Sequence, residues 1–431
     1  TGDETNFINL TNNITNNSFA YASSSGEYLF DNGYYTNYPY PIETFDSITT
    51  SGAGVFGLNY GTTNEELYYF QPTPGVGTST FPSNPVVSSA SFNGGGGSQD
   101  YGFSGSLPST GSSNFDIYNS DTFIDSSNNI LYSSIRSNTD NSVVYPYYNN
   151  VISRYNLTTK AITHTTRSAE FEDAGNYRQS LTLDTTRDKL YNLRSNPESS
   201  PNVGWVSIYT ASNLDYYGEI TDPVSYQGSL GAGLGLSVNS NNGDLFILTR
   251  NVIYTYAEGS TGDNYKTLYD LFSDNKRLEN ENAGNLVKSQ IEFISSENAW
   301  FFRANLSSTS SPNNKAIVGK YTVDGDFSYI ILGNAESSGN NLKFNKTNLI
   351  YDSTRDLLWT FNTQNKLIGI NPTTFEVEFE TYISNPNGSD TVFWYNAQLT
   401  LDETNGVLFF GSSVSNIFGI YSINLQEIFP I

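Results

Sequence analysis

One short phrase recurs along this chain and constrains its fold more than any other feature. In each copy an Asp or Asn opens a polar turn, and a hydrophobic-aromatic pair begins a new strand six residues later. The clear copies occupy residues 125–132, 184–191, 239–246, 352–359 and 402–409. Strand-based repeats of about 55 residues form radial or solenoid β architectures. The repeat therefore predicts an all-β fold built from equivalent units.

Each repeat contains enough alternating segments for four strands. A short apolar strand precedes the turn and the aromatic strand follows it. Two further strands flank a second polar turn, as in 151–162 and 367–377. Four-stranded units arranged around an axis define a β-propeller. Three weaker pairs bring the count of aligned units to eight: Leu29 with Phe30, Leu67 with Tyr68, and Ala299 with Trp300. The sequence thus predicts a single domain, 1–431, of seven or eight four-stranded blades, with eight favoured.

The two ends of the chain predict how the ring closes. The last repeat supplies three strands, whereas the N-terminal segment 1–17 contains a spare alternating run at 7–10. We expect this segment to complete the last blade, because ring closure removes exposed sheet edges. Residues 71–120 depart from the repeat, with five prolines and a run of four glycines. They are predicted to form an insertion between blades, either a contact loop or a tolerated, disordered addition.

The composition is typical of an extracellular β protein. Charged residues form 15% of the chain, against about 25% in ordinary soluble domains, and Cys and Met are absent. Because translation starts with Met, the start at Thr1 predicts a mature product without its leader. The net charge of −23 disfavours nucleic-acid partners, which need clustered Lys and Arg. No apolar run reaches the roughly 20 residues of a membrane helix, so direct membrane insertion is not expected.

Candidate N-glycosylation sites are the clearest modification signal. The N-x-S/T pattern requires an accessible loop on a secreted chain, and an Asn/Ser/Thr-rich sequence also produces it by chance. It occurs at Asn9, Asn13, Asn16, Asn156, Asn305, Asn345 and Asn387. These seven positions predict a secreted glycoprotein.

Few residues suggest chemistry. His164 is the only histidine, and it is expected on an outer strand. The repeat turns carry the acids Asp125, Asp184, Asp352 and Asp402. Structural Ca²⁺ is one interpretation, but the runs lack the spacing of a Ca²⁺ loop. We favour Asx-type turns, in which the Asp oxygens accept from backbone N–H groups. Two tryptophans of the aromatic strands, Trp300 and Trp359, are expected in the core. No catalytic residue, metal ligand or cofactor is predicted.

Two phrases together resemble a known family. A D-x-T/S-x-x-x-L-Y/W phrase lies at 184–191 and 352–359, and an I/L-x-x-Y/I-N-x-T-T phrase lies at 152–159 and 367–374. This combination is similar to YVTN-type and quinoprotein-like β-propellers of surface-layer and cell-surface proteins, especially of archaea. The resemblance covers about residues 120–431 and implies a propeller at an outer surface. No residue here matches those that bind the cofactor in the quinoprotein branch.

Two classes of function remain open from the sequence. The first is a secreted, N-glycosylated structural or adhesive protein of a surface layer, an extracellular filament or a virion spike. Its partners would be other copies of itself or other surface proteins. The second is an extracellular carbohydrate-binding or carbohydrate-active propeller, which would need convergent acids and exposed aromatics. The sequence favours the first class, a non-enzymatic role.

Overall fold

The part of the chain that the structure, a computed structural model, describes is all-β apart from one short helix. The structure describes residues 19–22, 27–30, 35–36, 47–49, 56–71, 80–81, 86–91, 99–100, 114–138, 149–168, 178–196, 203–220, 235–248, 252–259, 267–270, 281–282, 291–308, 314–335, 349–362, 366–383, 398–412 and 419–429. Within these ranges, no helix has the length and apolar character needed to cross a membrane.

Two sheets form from the N-terminal quarter of the chain. The first strands are β1 (Phe19–Ala22), β2 (Glu27–Phe30), β3 (Tyr35–Thr36) and β4 (Ser47–Thr49). Strands β1–β3 make a separate three-stranded sheet. The strands that follow are β5 (Phe56–Gly61), β6 (Glu66–Gln71), β7 (Thr80–Phe81), β8 (Val86–Ser91) and β9 (Gln99–Asp100). Sheet I has the order β5-β6-β8-β9, while β7 joins the next sheet.

Six further antiparallel sheets, II to VII, are the blades of a β-propeller. Blade II contains β10 (Asn114–Asp125), β11 (Ile130–Asn138), β12 (Asn149–Asn156) and β13 (Ile162–Ser168). Blade III contains β14 (Arg178–Asp184), β15 (Lys189–Asn196), β16 (Val203–Thr210) and β17 (Tyr216–Ile220). Blade IV contains β18 (Gly235–Val238), β19 (Leu245–Leu248), β20 (Val252–Tyr256) and β21 (Thr267–Asp270).

The remaining blades follow the same order. Blade V contains β23 (Ile291–Ile294), β24 (Ala299–Ser308), β25 (Asn314–Thr322) and β26 (Phe327–Ala335), and β22 (Glu281–Asn282) also pairs with β24. Blade VI contains β27 (Ile350–Asp352), β28 (Leu357–Phe361), β29 (Lys366–Asn371) and β30 (Glu376–Tyr382). Blade VII contains β31 (Gln398–Asp402), β32 (Val407–Ser412), β33 (Gly419–Asn424) and β4, and helix α1 (Leu425–Ile428) follows β33. The prediction of an all-β propeller is confirmed, with six blades seen.

The repeated turn folds in the same way in four blades. In blade III, Asp184 Oδ1 accepts from the backbone N–H of Arg187 at 3.1 Å, and Oδ2 accepts from the Arg187 guanidinium at 3.0 Å. The other three turn acids make the same two bonds to the residue three positions later. The next residue has a positive φ, which reverses the chain; these residues are Asn129, Asp188, Asp356 and Gly406. The prediction of Asx-type turns is confirmed.

The hydrophobic-aromatic pair places one side chain against each neighbouring blade. Leu190 belongs to the cluster shared with blade II, and Tyr191 to the cluster shared with blade IV. Successive side chains of a strand point to opposite faces of the sheet, so two adjacent residues can serve two interfaces. The core therefore lies between blades, and each fully buried Leu, Ile or Phe there contributes roughly 1.5–3 kcal/mol.

Blade V corrects the alignment made from spacing. The predicted pair there is Ala299 with Trp300, but Trp300 packs towards blade IV and Phe301 towards blade VI. Asn298 holds the positive-φ position that precedes the strand, and counting from it makes Trp300 and Phe301 the equivalent pair. Trp300 is 1% exposed and Trp359 is 0% exposed, which confirms that both are core residues.

A strand near the N-terminus completes blade VII, although it is a different strand from the one predicted. Residues Ser47–Thr49 pair antiparallel with Gly419, Ile420 and Tyr421 of β33. The predicted closing segment 1–17 lies outside the described residues. The predicted insertion 71–120 supplies β7, β8, β9 and the start of β10. The sequence of β7, β8 and β9 lacks the Asp turn phrase that marks the repeat.

Candidate functional site

A channel of about 380 Å³ runs between the innermost strands of sheets I to VII. One position of the repeat, two residues before the start of the turn, contributes a lining residue from every sheet. We call this set the channel ring. Its members, from sheet I to blade VII, are Asn59, Phe123, Thr182, Ser237, Glu292, Ile350 and Thr400.

Part of this wall connects neighbouring sheets. Thr400 Oγ1 accepts from the backbone N–H of Tyr60 at 3.0 Å, and Gln398 Oε1 accepts from that of Leu58 at 2.9 Å. An innermost strand presents an open edge to the axis, so its backbone N–H groups need such partners. Burial, together with a hydrogen bond to Asp402, raises the pKa of Tyr60 above its usual range. These contacts join blade VII to sheet I.

Side-chain hydrogen bonds also join the sheets at the next two interfaces. Asn59 Nδ2 donates to Thr122 Oγ1 at 2.7 Å, which joins sheet I to blade II. Asp121 Oδ2 accepts from the backbone N–H of Leu181 at 2.7 Å, which joins blade II to blade III. Asp121 is only 2% exposed, and its other oxygen accepts from the N–H of Thr122 at 2.9 Å. The polar groups of these strands therefore serve the ring closure.

Three other hydroxyl groups of the channel do not bond to a neighbouring sheet. Ser180, Thr182 and Ser237 are 3%, 6% and 5% exposed and line the channel on blades III and IV. None of the three has a hydrogen-bond partner among the residues that the structure describes. Glu292 of blade V continues this polar arc and is the single carboxylate among the lining residues. Because these residues line the channel, their hydroxyls are available to an occupant of it.

Apolar side chains flank the polar arc. Phe123 of blade II lies on one side of it in the channel ring, and Ile350 of blade VI lies on the other. The channel wall is therefore amphipathic. Sequence reasoning missed this site because its members are single residues from separate repeats. The available signal was alternation of polar residues with leucines in the innermost strands, as in Ser180, Leu181, Thr182 and Leu183.

A second feature lies on the outer rim of the blades. The large hydrophobic side chains exposed in the described part of the chain all belong to the outermost strands of blades III, V and VI. They are Tyr216, Tyr217, Ile331, Val377 and Tyr382, with 45% to 60% of each side chain exposed. No sequence pattern singles out these positions.

Two of the rim tyrosines are held by the same arrangement of charges. Lys189 Nζ lies 4.8 Å from the ring centre of Tyr217 and 2.7 Å from Glu258. Lys366 Nζ lies 4.6 Å from the ring centre of Tyr382 and 2.7 Å from Glu380. A cation over an aromatic face is attractive, and it restricts the ring before any partner arrives. The rim thus presents ordered aromatic surface.

The predicted glycosylation sites are only partly described. Asn156 is the last residue of β12, directly before the turn to β13, and is half-buried. Its Oδ1 accepts from the N–H groups of Thr158 at 3.0 Å and Thr159 at 2.8 Å, which leaves Nδ2 as the atom for a glycan. Asn305 lies within β24. Outside the described residues lie Asn9, Asn13, Asn16, Asn345 and Asn387.

The remaining candidates of the sequence analysis occupy structural positions. His164 lies exposed on β13, the outermost strand of blade II, as predicted. Across the described ranges, no three His, Cys, Asp or Glu side chains converge as metal ligands would. The turn acids are already occupied by the residues three positions later. They therefore define the turns of the repeat.

Comparison with known proteins gives no matching family model and no matching curated protein. The architecture and its channel place the chain in the broad class of all-β propellers. Its function has to be inferred from the channel, the rim and the turns.

Proposed function

We propose that the ring has seven blades, with sheet I as the first. Strand β5 contacts β10 on one side and β31 on the other. Leu58, Tyr60 and Leu67 of sheet I pack against Phe409 and Ile420 of blade VII. Both observations support closure at this point. An electron cryomicroscopy map of the full chain tests the number of blades. Eight blades around one axis would contradict the proposal of seven.

We propose that the protein is a secreted, N-glycosylated surface propeller with a structural or adhesive role and no enzymatic activity. It would belong to a surface layer, an extracellular filament or a virion spike, in line with the resemblance to YVTN-type propellers. The observation that carries this proposal is the aromatic rim. Exposed Tyr is enriched in protein interfaces, and three tyrosines are exposed on the outermost strands of blades III and VI. Other copies of the chain or other surface proteins are the partners.

Substitution of two rim tyrosines tests the proposed role of the rim in contacts with partners. In a double variant, Tyr217→Ser with Tyr382→Ser, we expect loss of assembly or adhesion, measured by electron microscopy and sedimentation. The matched control carries Phe at both positions, which keeps the apolar rings, and it should assemble like the parent protein. Circular dichroism verifies that both variants fold. Normal assembly of the Ser variant would refute a contact role for these tyrosines.

Glycosylation can be tested at one described site. Asn156→Asp removes the acceptor nitrogen but keeps the Oδ1 that caps the turn. We expect the secreted protein to lose the mass of one glycan and to keep its stability. Asn371→Asp is the control for the mass measurement alone, since Pro372 excludes glycosylation there and Oδ1 caps the equivalent turn of blade VI, whereas its Nδ2 donates to Glu378. An unchanged mass for Asn156→Asp would show that the site is unoccupied.

The amphipathic channel favours a second candidate function, carbohydrate binding. Sugars combine hydroxyl groups with apolar C–H faces, and ligand sites combine apolar walls with a few placed polar groups. The channel offers unpartnered hydroxyls beside Phe123 and Ile350. An array of immobilised glycans tests this candidate in general terms, and a blank array together with no binding of free sugars would refute it.

A further inference from the structure

The polar arc of the channel, formed by Ser180, Thr182, Ser237 and Glu292, has the features of a ligand-binding site. Thr182 and Ser237 project from equivalent positions of adjacent blades, and Ser180 lies one layer away. Each is more than nine-tenths buried. On the interfaces between blade VII, sheet I and blade II, the equivalent polar groups bond to the neighbouring sheet. Blades III and IV instead have Thr182 and Ser237 at this position, and both line the channel without such a bond.

The chemistry of the lining restricts what can bind. Glu292 is its only charged side chain, so an anionic ligand would meet repulsion and no compensating cation. A divalent cation prefers several oxygen ligands, including more than one carboxylate, and the lining has one. Water alone could satisfy the hydroxyls, but it gains nothing from Phe123 and Ile350. A volume of about 380 Å³ falls at the small end of ligand sites, roughly 300–1,000 Å³.

We propose that the channel binds a neutral polyhydroxylated molecule of monosaccharide size. Its hydroxyl groups would bond to Thr182, Ser237 and Glu292, and its apolar C–H surface would lie against Phe123 and Ile350. This inference rests on the second candidate function and assigns it to one site. The ligand is either a free sugar or the terminal residue of a glycan, because both present the same chemistry.

Calorimetric titration of the full chain with D-glucose, D-galactose, D-mannose, N-acetyl-D-glucosamine and myo-inositol tests the proposal. We expect one-to-one binding of at least one of them. In Thr182→Val the Kd should rise about fivefold, which corresponds to the ~1 kcal/mol net value of one hydrogen bond. Thr255→Val is the matched control, because Thr255 is also 6% exposed but lies on β20, outside the channel lining. Its Kd should match that of the parent protein.

A second variant fills the channel. Ser237→Phe should abolish binding, and circular dichroism verifies its fold. If it fails to fold, Thr182→Val still decides the question. Absence of binding for every sugar overturns the proposal, and so does a crystal soaked with the sugar that shows only water in the channel. Binding that Thr182→Val leaves unchanged also overturns it, while it supports carbohydrate binding elsewhere, for example at the rim.

If the ligand is one of the four reducing sugars, its methyl glycoside separates the two sources. Retained affinity for the glycoside identifies the terminal residue of a glycan as the ligand, and lost affinity identifies the free sugar. Both results support the channel as the site. The assembly phenotype of the rim variants is measured independently, so failure of the channel proposal leaves the structural role standing.

Discussion

The buried pair formed by Asp352 and Arg355 gives the sharpest test of how the blades are held together. Both side chains are 0% exposed, and Arg355 Nη1 lies 3.0 Å from Asp352 Oδ2. The same oxygen accepts from Trp359 Nε1 at 3.2 Å. The other oxygen accepts from the N–H groups of Thr354 and Arg355, both at 3.1 Å. Arg355 Nε also reaches the carbonyl of Phe429 at 3.3 Å, so the pair connects blade VI to the segment after α1.

The substitution Asp352→Asn removes the charge and keeps the shape. The amide oxygen can still cap the turn, but the amide nitrogen then faces two donors, and the Arg355 guanidinium is left buried without its counter-ion. Breaking a buried pair in this way costs about 3–5 kcal/mol. The equivalent Asp184→Asn should cost less, because the Arg187 side chain is 25% exposed and water screens its charge. Asp125→Asn should cost about 1 kcal/mol, since its partner Asn128 is neutral.

Denaturant midpoints and slopes of the three variants, measured side by side, give the comparison. We expect the loss of stability to be largest for Asp352→Asn, smaller for Asp184→Asn and smallest for Asp125→Asn. Adding Arg355→Met to Asp352→Asn should recover most of the loss, because no buried charge then remains. Equal losses in the three single variants, or no recovery in the double variant, would refute the assignment of the cost to a buried charge.

Two further predictions concern the turn geometry and the buried phenols. Gly406→Ala should destabilise more than Gly259→Ala; both sites have positive φ, but a Cβ at Gly406 would lie 2.6 Å from Arg355 Nη2, whereas Gly259 has open space. Equal losses in denaturation would contradict this. Burial raises the pKa of Tyr155 from 10.0 to about 12, so its contribution to stability is complete below about pH 10 and falls as the pH rises towards 12. Denaturation at increasing pH should show this decline, and Tyr155→Phe should reduce it.

The repeat could be predicted from the sequence because its signals are local. An Asp that caps a turn and a positive-φ residue four positions later act over one short segment, as in Asp184 and Asp188. The pair Leu190 and Tyr191 follows at a fixed distance. Local turn chemistry and alternation are the features that sequence patterns carry most directly. Blade V shows the limit of spacing, since loss of its turn acid displaced the alignment by one residue.

The elements that sequence reasoning missed depend on distant partners. Strand β4 has three residues and gains its place only by pairing with β33, which is more than 300 positions away in the chain. Strand β8 follows a Pro-rich segment and lacks the turn motif, yet it pairs with β6 over six residues. Such pairings depend on ring closure rather than on local preference. Strand propensity is correspondingly context-dependent.

The channel lining also depends on both local and distant constraints. Strand alternation decides which side chains face each neighbouring blade, and contacts between blades decide which polar groups are bonded. Along β14, Leu181 and Leu183 pack towards blade II, so the residues between them must point the other way. At that position Thr400 of blade VII meets a backbone N–H of the neighbouring sheet and bonds to it. Thr182 and Ser237 occupy the same position without such a bond. The repeat places polar groups there in five of the seven sheets, and we propose that the ligand site lies where Thr182 and Ser237 make no such bond. If the hydroxyls of Thr182 and Ser237 instead served only the fold, Thr182→Val would lower stability, as we expect of Thr400→Val from its lost bond to Tyr60, and would leave sugar binding unchanged.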